Sequence, residues 1–237
     1  MKALLLHGFT GTPQSFDGLG VPANSVAPCL AGHLDAPVDG DFDAEVERLG
    51  ALGEGCDTLV GYSLGGRFAL GLLARYPDRF ARALIVSAQP GLQSDGERNR
   101  RRDGDARLVA ILRTQGLRAF VDHWQALPLW ASQGQLPERV RQEQRRQRLR
   151  HAAEGLAQSL LRHGLAEMPD LRPDLAQVRT RVDLLVGERD EKFVAFGREL
   201  QALLPSARLT VAAGAGHNLL LERPEIVRTL SFPSSPA

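Results

Sequence analysis

The stretch GYSLGGR, residues 61–67, restricts the fold of this chain more than any other feature. A serine flanked by glycines two residues before and after it needs a sharp turn in which backbone packs against backbone. The run CDTLVG (56–61) before it reads as a strand. LGGRFALGLLARYP (64–77) after it has helical periodicity and stops at Pro77. A strand feeding a helix through so tight a turn holds the Ser63 hydroxyl at the helix N-terminus, where backbone N–H groups favour a developing anion.

The rest of the chain alternates in the same way. KALLL (2–6), FARALIVS (80–87), RVDLLVG (181–187) and ARLTVAAG (207–214) are short apolar runs, and NSVAPCL (24–30) is a weaker one. KFVAFGRELQALLP (192–205) and ERPEIVRTL (222–230) have helical patterning. Apolar strands separated by amphipathic helices predict a mostly parallel, doubly wound α/β sheet covered on both faces. Residues 93–170 break that rhythm. Helical patterns such as ARLVAILRTQGLRAFVDHW (106–124) and RLRHAAEGLAQSLLRHG (148–164) predict an inserted helical lid over the carboxyl edge of the sheet. The core is then expected from 1–92 and 171–237. The tail SFPSSPA is expected to fray.

Two partners for Ser63 follow in the order expected of a serine–acid–histidine relay. Asp190 lies just past the 181–187 strand, and His217 lies in GAGHN after the 207–214 run. Asp183, inside a strand, and Glu188, earlier in the turn, are weaker candidates for the acid. The loop after the first strand, LLLHGFTGT, is expected to supply an oxyanion N–H from Phe9 to join that of Leu64, with His7 fixing its backbone. His33 is expected to be structural, and His123, His151 and His163 to be exposed or packed lid residues.

Arg67 shares a helix face with Ser63, four residues before it. On an otherwise apolar helix its guanidinium must either meet an internal carboxylate or face the pocket beside the hydroxyl; the pocket is favoured. From Arg98 to Arg150 there are thirteen arginines against five acids, most of them expected on solvated helix faces. Arginine supplies 27 of the 29 basic residues, yet the net charge is only +1, which removes any global nucleic-acid footprint. Cys29 and Cys56 are expected to be small apolar residues rather than ligands or a disulfide framework. No His, Cys or Asp spacing suggests a metal, and no glycine-rich phosphate loop is visible. No apolar run approaches the ~18 residues of a membrane span, and the opening MKALLLHGF is too short for a signal peptide, so a cytoplasmic protein is expected. Oligomeric state is not legible.

Taken together, LHGFTGTPQSF, GYSLGGRFAL, PGL followed by ERNRRRDGD, FVDHWQALPLWAS, GERDEKF and GAGHNLLLERP resemble one family over nearly the whole chain. It is the 2-succinyl-6-hydroxy-2,4-cyclohexadiene-1-carboxylate synthases, the pyruvate-eliminating step of menaquinone biosynthesis. The resemblance implies an α/β-hydrolase fold with a helical lid, no cofactor and no metal. It implies a triad of Ser63, Asp190 and His217, oxyanion amides at Phe9 and Leu64, and a small polycarboxylate substrate. Arg67, Arg101 and, across a short gap, Arg148 match arginines that hold substrate carboxylates; Trp124 matches a pocket tryptophan, and Tyr62 the residue before the serine. SAQPGL and AGHLDAP depart from the usual pattern, which bears on pocket shape. A hydrolase using the same serine as nucleophile is the main alternative, and a non-catalytic receptor a remote one.

Overall fold

In the computed structural model, residues 1–233 are described. Five strands, β1 (Ala3–Leu6), β2 (Thr58–Tyr62), β3 (Arg82–Val86), β4 (Arg181–Gly187) and β5 (Ala207–Ala212), form one all-parallel sheet in the order β1-β2-β3-β4-β5. Strands β1, β2 and the inner part of β4 are buried on both faces, which explains their unbroken apolar runs. The expected strand at 24–30 does not form. Val26 makes only an isolated parallel bridge to Leu4, on the free edge of β1, within a segment broken by Pro22 and Pro28. That bridge still matters. The chain leaves β1 to one side at Val26 and returns on the other at β2, so the sheet's reversal of direction falls at the carboxyl end of β1.

Helices cover both faces. On one, α1 (Phe42–Leu52), α2 (Leu64–Arg75), α7 (Arg172–Leu175) and α8 (Glu191–Leu203) enclose Leu4, Leu6, Phe42, Phe68, Leu184 and Leu200. On the other, α9 (Leu219–Glu222) and α10 (Pro224–Ser231) close over Leu5, Val60, Leu84, Leu219 and Val227. Helix α1 carries no expectation from the sequence; Asp41 caps it by accepting from the Ala44 amide at 3.0 Å. The tail expectation is corrected in part: Ser231 is buried at the end of α10, and residues 234–237 lie outside the described residues.

Between β3 and β4 the described chain is helical: α3 (Asp95–Thr114), α4 (Gly116–Gln125), a 3-10 stretch at Pro128–Gln135, α5 (Glu138–Arg148) and α6 (Ala153–His163). The continuous pattern read at 106–124 is in fact two helices. Gly116, with φ of +81°, turns the chain between them. Helices α3, α4 and α6 own a separate apolar centre of Val109, Leu112, Phe120, Val121, Leu156, Ala157 and Leu160. Arg98 fastens its base, donating to the carbonyls of Leu92, Ala166 and Met168 at 2.8–2.9 Å.

Candidate active site

The turn between β2 and α2 is built by close backbone approach. A Cβ on Gly65 would stand 2.1 Å from the Leu6 carbonyl oxygen, and one on Gly61 2.5 Å from that of Gly65. Only glycine fits at either place. Ser63 is held at φ +53° by its amide's 2.9 Å bond to the Val86 carbonyl, a conformation a serine adopts only under such constraint. Its Oγ lies 3.0 Å from Nε2 of His217, whose Nδ1 lies 2.6 Å from Oδ2 of Asp190. An ionised carboxylate only accepts, so Nδ1 carries the ring proton and Nε2 accepts from the serine hydroxyl. The other acids are engaged elsewhere. Glu188 accepts from the Gly214 amide at 2.7 Å, and Asp183 sits within β4 with Arg181 at 3.9 Å.

The histidine loop has a brace the sequence did not disclose. Glu222 accepts from the Gly216 amide at 2.7 Å and from the Asn218 amide at 3.3 Å, gripping both neighbours of His217. Phe193, Trp130 and Tyr62 surround the imidazole, with ring centres 4.6, 5.6 and 5.6 Å away. Against the serine, the Gly65 amide donates to the His7 carbonyl at 3.0 Å and locks the loop after β1 to the start of α2. Among the described residues the amides of Phe9 and Leu64 have no acceptor, so two N–H donors beside Ser63 are free to meet a ligand oxygen.

One cavity collects Phe9, Tyr62, Ser63, Leu64, Arg67, Arg101, Trp124 and His217. Arg67 has no carboxylate partner among the described residues; its Nη1 donates to the His163 carbonyl at 3.0 Å. Burial, reinforced by the neighbouring Arg101 charge, lowers its pKa to about 9, so the guanidinium stays charged at neutral pH but poorly compensated. Arg101 gives its Nε to both oxygens of Asp105, at 3.0 and 2.9 Å, leaving both terminal nitrogens without a protein acceptor among the described residues. Trp124 packs on Phe9 and Phe120, ring centres 5.3 and 5.8 Å away.

Two wall residues were not anticipated. Lys192 is a third cation lining the cavity, its pKa lowered by burial and then by Arg101. Trp130 stands between this cavity and a second one. The start of α8 one residue after Asp190 was a usable signal for Lys192; Trp130 had none beyond its place in FVDHWQALPLWAS.

Arg148 does not line the cavity around Ser63. It lines the second cavity, with Tyr62, Phe9 and Trp130 as shared walls, and its guanidinium lies 5.2 Å from the Trp130 ring centre. Burial lowers its pKa to about 10, and its Nη1 has no partner among the described residues. The buried Tyr62 hydroxyl beside it is also unpartnered among them.

A relay of serine, histidine and aspartate on the carboxyl edge of a parallel sheet defines a class. The chain belongs to the alpha/beta hydrolase family, whose model matches residues 3–230. Within that class it is 36% identical to a Bacillus subtilis protein provisionally named a 2-succinyl-6-hydroxy-2,4-cyclohexadiene-1-carboxylate synthase, over 93% of this chain and 85% of that protein. It is 32% identical to the Citrobacter koseri protein of that name, over 93% of this chain and 88% of the relative. The solved structure of MenH from S. aureus superposes with a TM-score of 0.88 at 27% identity, covering 97% of this chain and 91% of that one. The chain is a member of this synthase family.

Proposed function

We propose that the protein eliminates pyruvate from 2-succinyl-5-enolpyruvyl-6-hydroxy-3-cyclohexene-1-carboxylate, as a lyase of menaquinone biosynthesis. The observation that carries this reading is the charge of the cavity. Arg67, Arg101 and Lys192 converge beside Ser63, and Arg67 has no carboxylate of its own among the described residues. A neutral ester would leave that charge uncompensated, whereas a polycarboxylate completes it with bidentate contacts.

In this reading His217, oriented by Asp190, takes the Ser63 proton, and the serine oxygen removes a proton from substrate carbon instead of attacking a carbonyl. The negative charge that develops on the conjugated carbonyl oxygen is met by the Phe9 and Leu64 amides. The electron pair then expels the enolpyruvyl group at its ring C–O bond as pyruvate enolate. The enolate becomes pyruvate by taking up a proton equivalent to the one abstracted, so that the Ser63–His217 pair is restored. Arg67 and Arg101 hold carboxylates so that the hydroxyl meets a C–H bond. Arg148 and Tyr62 serve a further polar group of the substrate across the Trp130 wall. The 93–170 helices act as a lid, and Trp124 closes the cavity from above.

The test is continuous measurement of pyruvate released from freshly generated substrate, alongside hydrolysis of 4-nitrophenyl acetate. Rapid pyruvate release with slow ester cleavage is expected. Brisk ester cleavage with no pyruvate would leave the hydrolase reading instead.

A further inference from the structure

Three buried histidines outside the relay, His7, His33 and His151, form a chain of edge-to-face rings with centres 4.9 and 5.4 Å apart. Each uses one ring nitrogen as acceptor and the other as donor. His7 Nε2 accepts from the Leu30 amide at 3.1 Å, so its Nδ1–H donates to the Gly8 carbonyl at 2.9 Å. His33 Nε2 accepts from the Thr10 amide at 3.2 Å, and its Nδ1–H donates to the Ala31 carbonyl at 3.2 Å. His151 Nδ1 accepts from the Leu34 amide at 2.9 Å, and its Nε2–H donates to the Thr10 carbonyl at 3.1 Å. All three rings must be neutral, because a second ring proton would face an N–H donor.

Thr10 is where two of these rings meet. It stands at φ +63°, a costly conformation for a β-branched residue, and both of its backbone polar groups are taken by imidazoles. One imidazole comes from the loop after Val26. The other arrives from the turn between α5 and α6, 141 residues away in sequence. Phe9, which lines the cavity around Ser63 and whose amide has no acceptor among the described residues, directly precedes Thr10, and its ring packs on His33 at 5.6 Å.

We propose that His33 and His151 are positioning residues that hold Thr10 in its left-handed conformation and so aim the Phe9 amide at the reacting oxygen. The oxyanion site is then complete only while the helical segment bearing His151 is seated. Arg148 and Arg150 face His151 from the end of α5, and the Glu45–Arg48 pair reaches the same loop from α1 through the Ala31 amide and Cys29 carbonyl. The two arginine charges add to the pressure for a neutral His151 ring. The inference rests on the proposed use of the Phe9 amide, but not on the identity of the substrate.

Two near-isosteres separate positioning from packing. In His151→Gln the side-chain amide nitrogen can stand where Nε2 stood and still donate to Thr10. In His151→Asn the oxygen can stand where Nδ1 stood, which keeps Leu34 and abandons Thr10. His151→Asn should lower kcat for pyruvate release about 10-fold or more with KM little changed, while His151→Gln stays within about 3-fold of wild type. The amide resonances of Phe9 and Thr10 should move in the Asn variant and hold in the Gln variant. Equal losses in both variants, a loss confined to KM, or unmoved amides in the Asn variant would overturn the proposal. If His151→Asn does not fold, His33→Gln against His33→Asn makes the same comparison through the Thr10 amide. If wild type releases no pyruvate, the proposed reaction fails, while the amide resonances still decide the positioning role.

Discussion

The two halves of the site are built by different means. Ser63, Asp190, His217 and the Phe9 amide sit on turns that leave parallel strands, each fixed by backbone contacts or by hydrogen bonds to neighbouring turns. Arg101 and Trp124 hang from helices that pack around their own apolar centre, Trp130 and Arg148 from the chain that links those helices, and the layer carries exposed ion pairs such as Arg102–Glu167 and Arg113–Glu154. Rigid turns suit proton transfer, where ångström errors are costly. A semi-independent helical layer suits recognition, because its cations can be changed without disturbing the relay. Arg67 belongs to both halves: it is rooted in α2 yet donates to the His163 carbonyl at the end of α6.

The strongest way to break this division is at the serine. Ser63→Ala should reduce pyruvate release by ~10³-fold or more while product binding, measured by calorimetry, persists. Equal loss of binding would mean that the relay also recognises substrate. Next comes the helical layer. Leu156→Ala, in its apolar centre, should cost about 2–4 kcal/mol. Hydrogen exchange should then rise in α3, α4 and α6 while β2 and β4 stay protected. Uniform loss of protection would show that the two halves unfold as one.

The sequence carried the sheet-borne half well, because its constraints are local. Glycine spacing around Ser63, a strand before it and a helix after it belong to one short stretch, and Asp190 and His217 each follow a legible strand. The helix-borne half depends on contacts across scores of residues. Nothing local to Arg148 says that Trp130 and Tyr62 separate it from the Arg67 cavity, nor does anything near His151 point to Thr10. The run NSVAPCL reads as strand-like when its apolar content is weighed above Pro28, whereas α1 was legible from Phe42, Val46 and Leu49 at helical spacing behind the Asp41 cap.

A smaller, graded effect distinguishes the halves through pH. Burial is the first cause holding His7 and His151 down to about 4 against 6.5 when unfolded, and it takes His33 well below its ordinary value. In that interval the unfolded chain binds protons that the folded chain refuses, so stability rises with pH. The contribution of the neutral rings is complete above about pH 6.5 and is lost as pH falls toward about 4. Melting temperature should decline across this window, and more gently in His151→Gln, which removes one of the titrating rings. An unchanged slope in that variant would mean that other groups set the acid limit.

The central claim is that the cavity's cations choose an anionic substrate for a relay that is otherwise general. Arg67→Ala tests it most directly, with kcat/KM measured for pyruvate elimination and for 4-nitrophenyl acetate hydrolysis on the same preparation. Loss of a charge-assisted contact in a shielded site predicts that the ratio of the two constants falls about 30- to 1000-fold. A ratio that stays constant, because both activities fall together or neither changes, would contradict it.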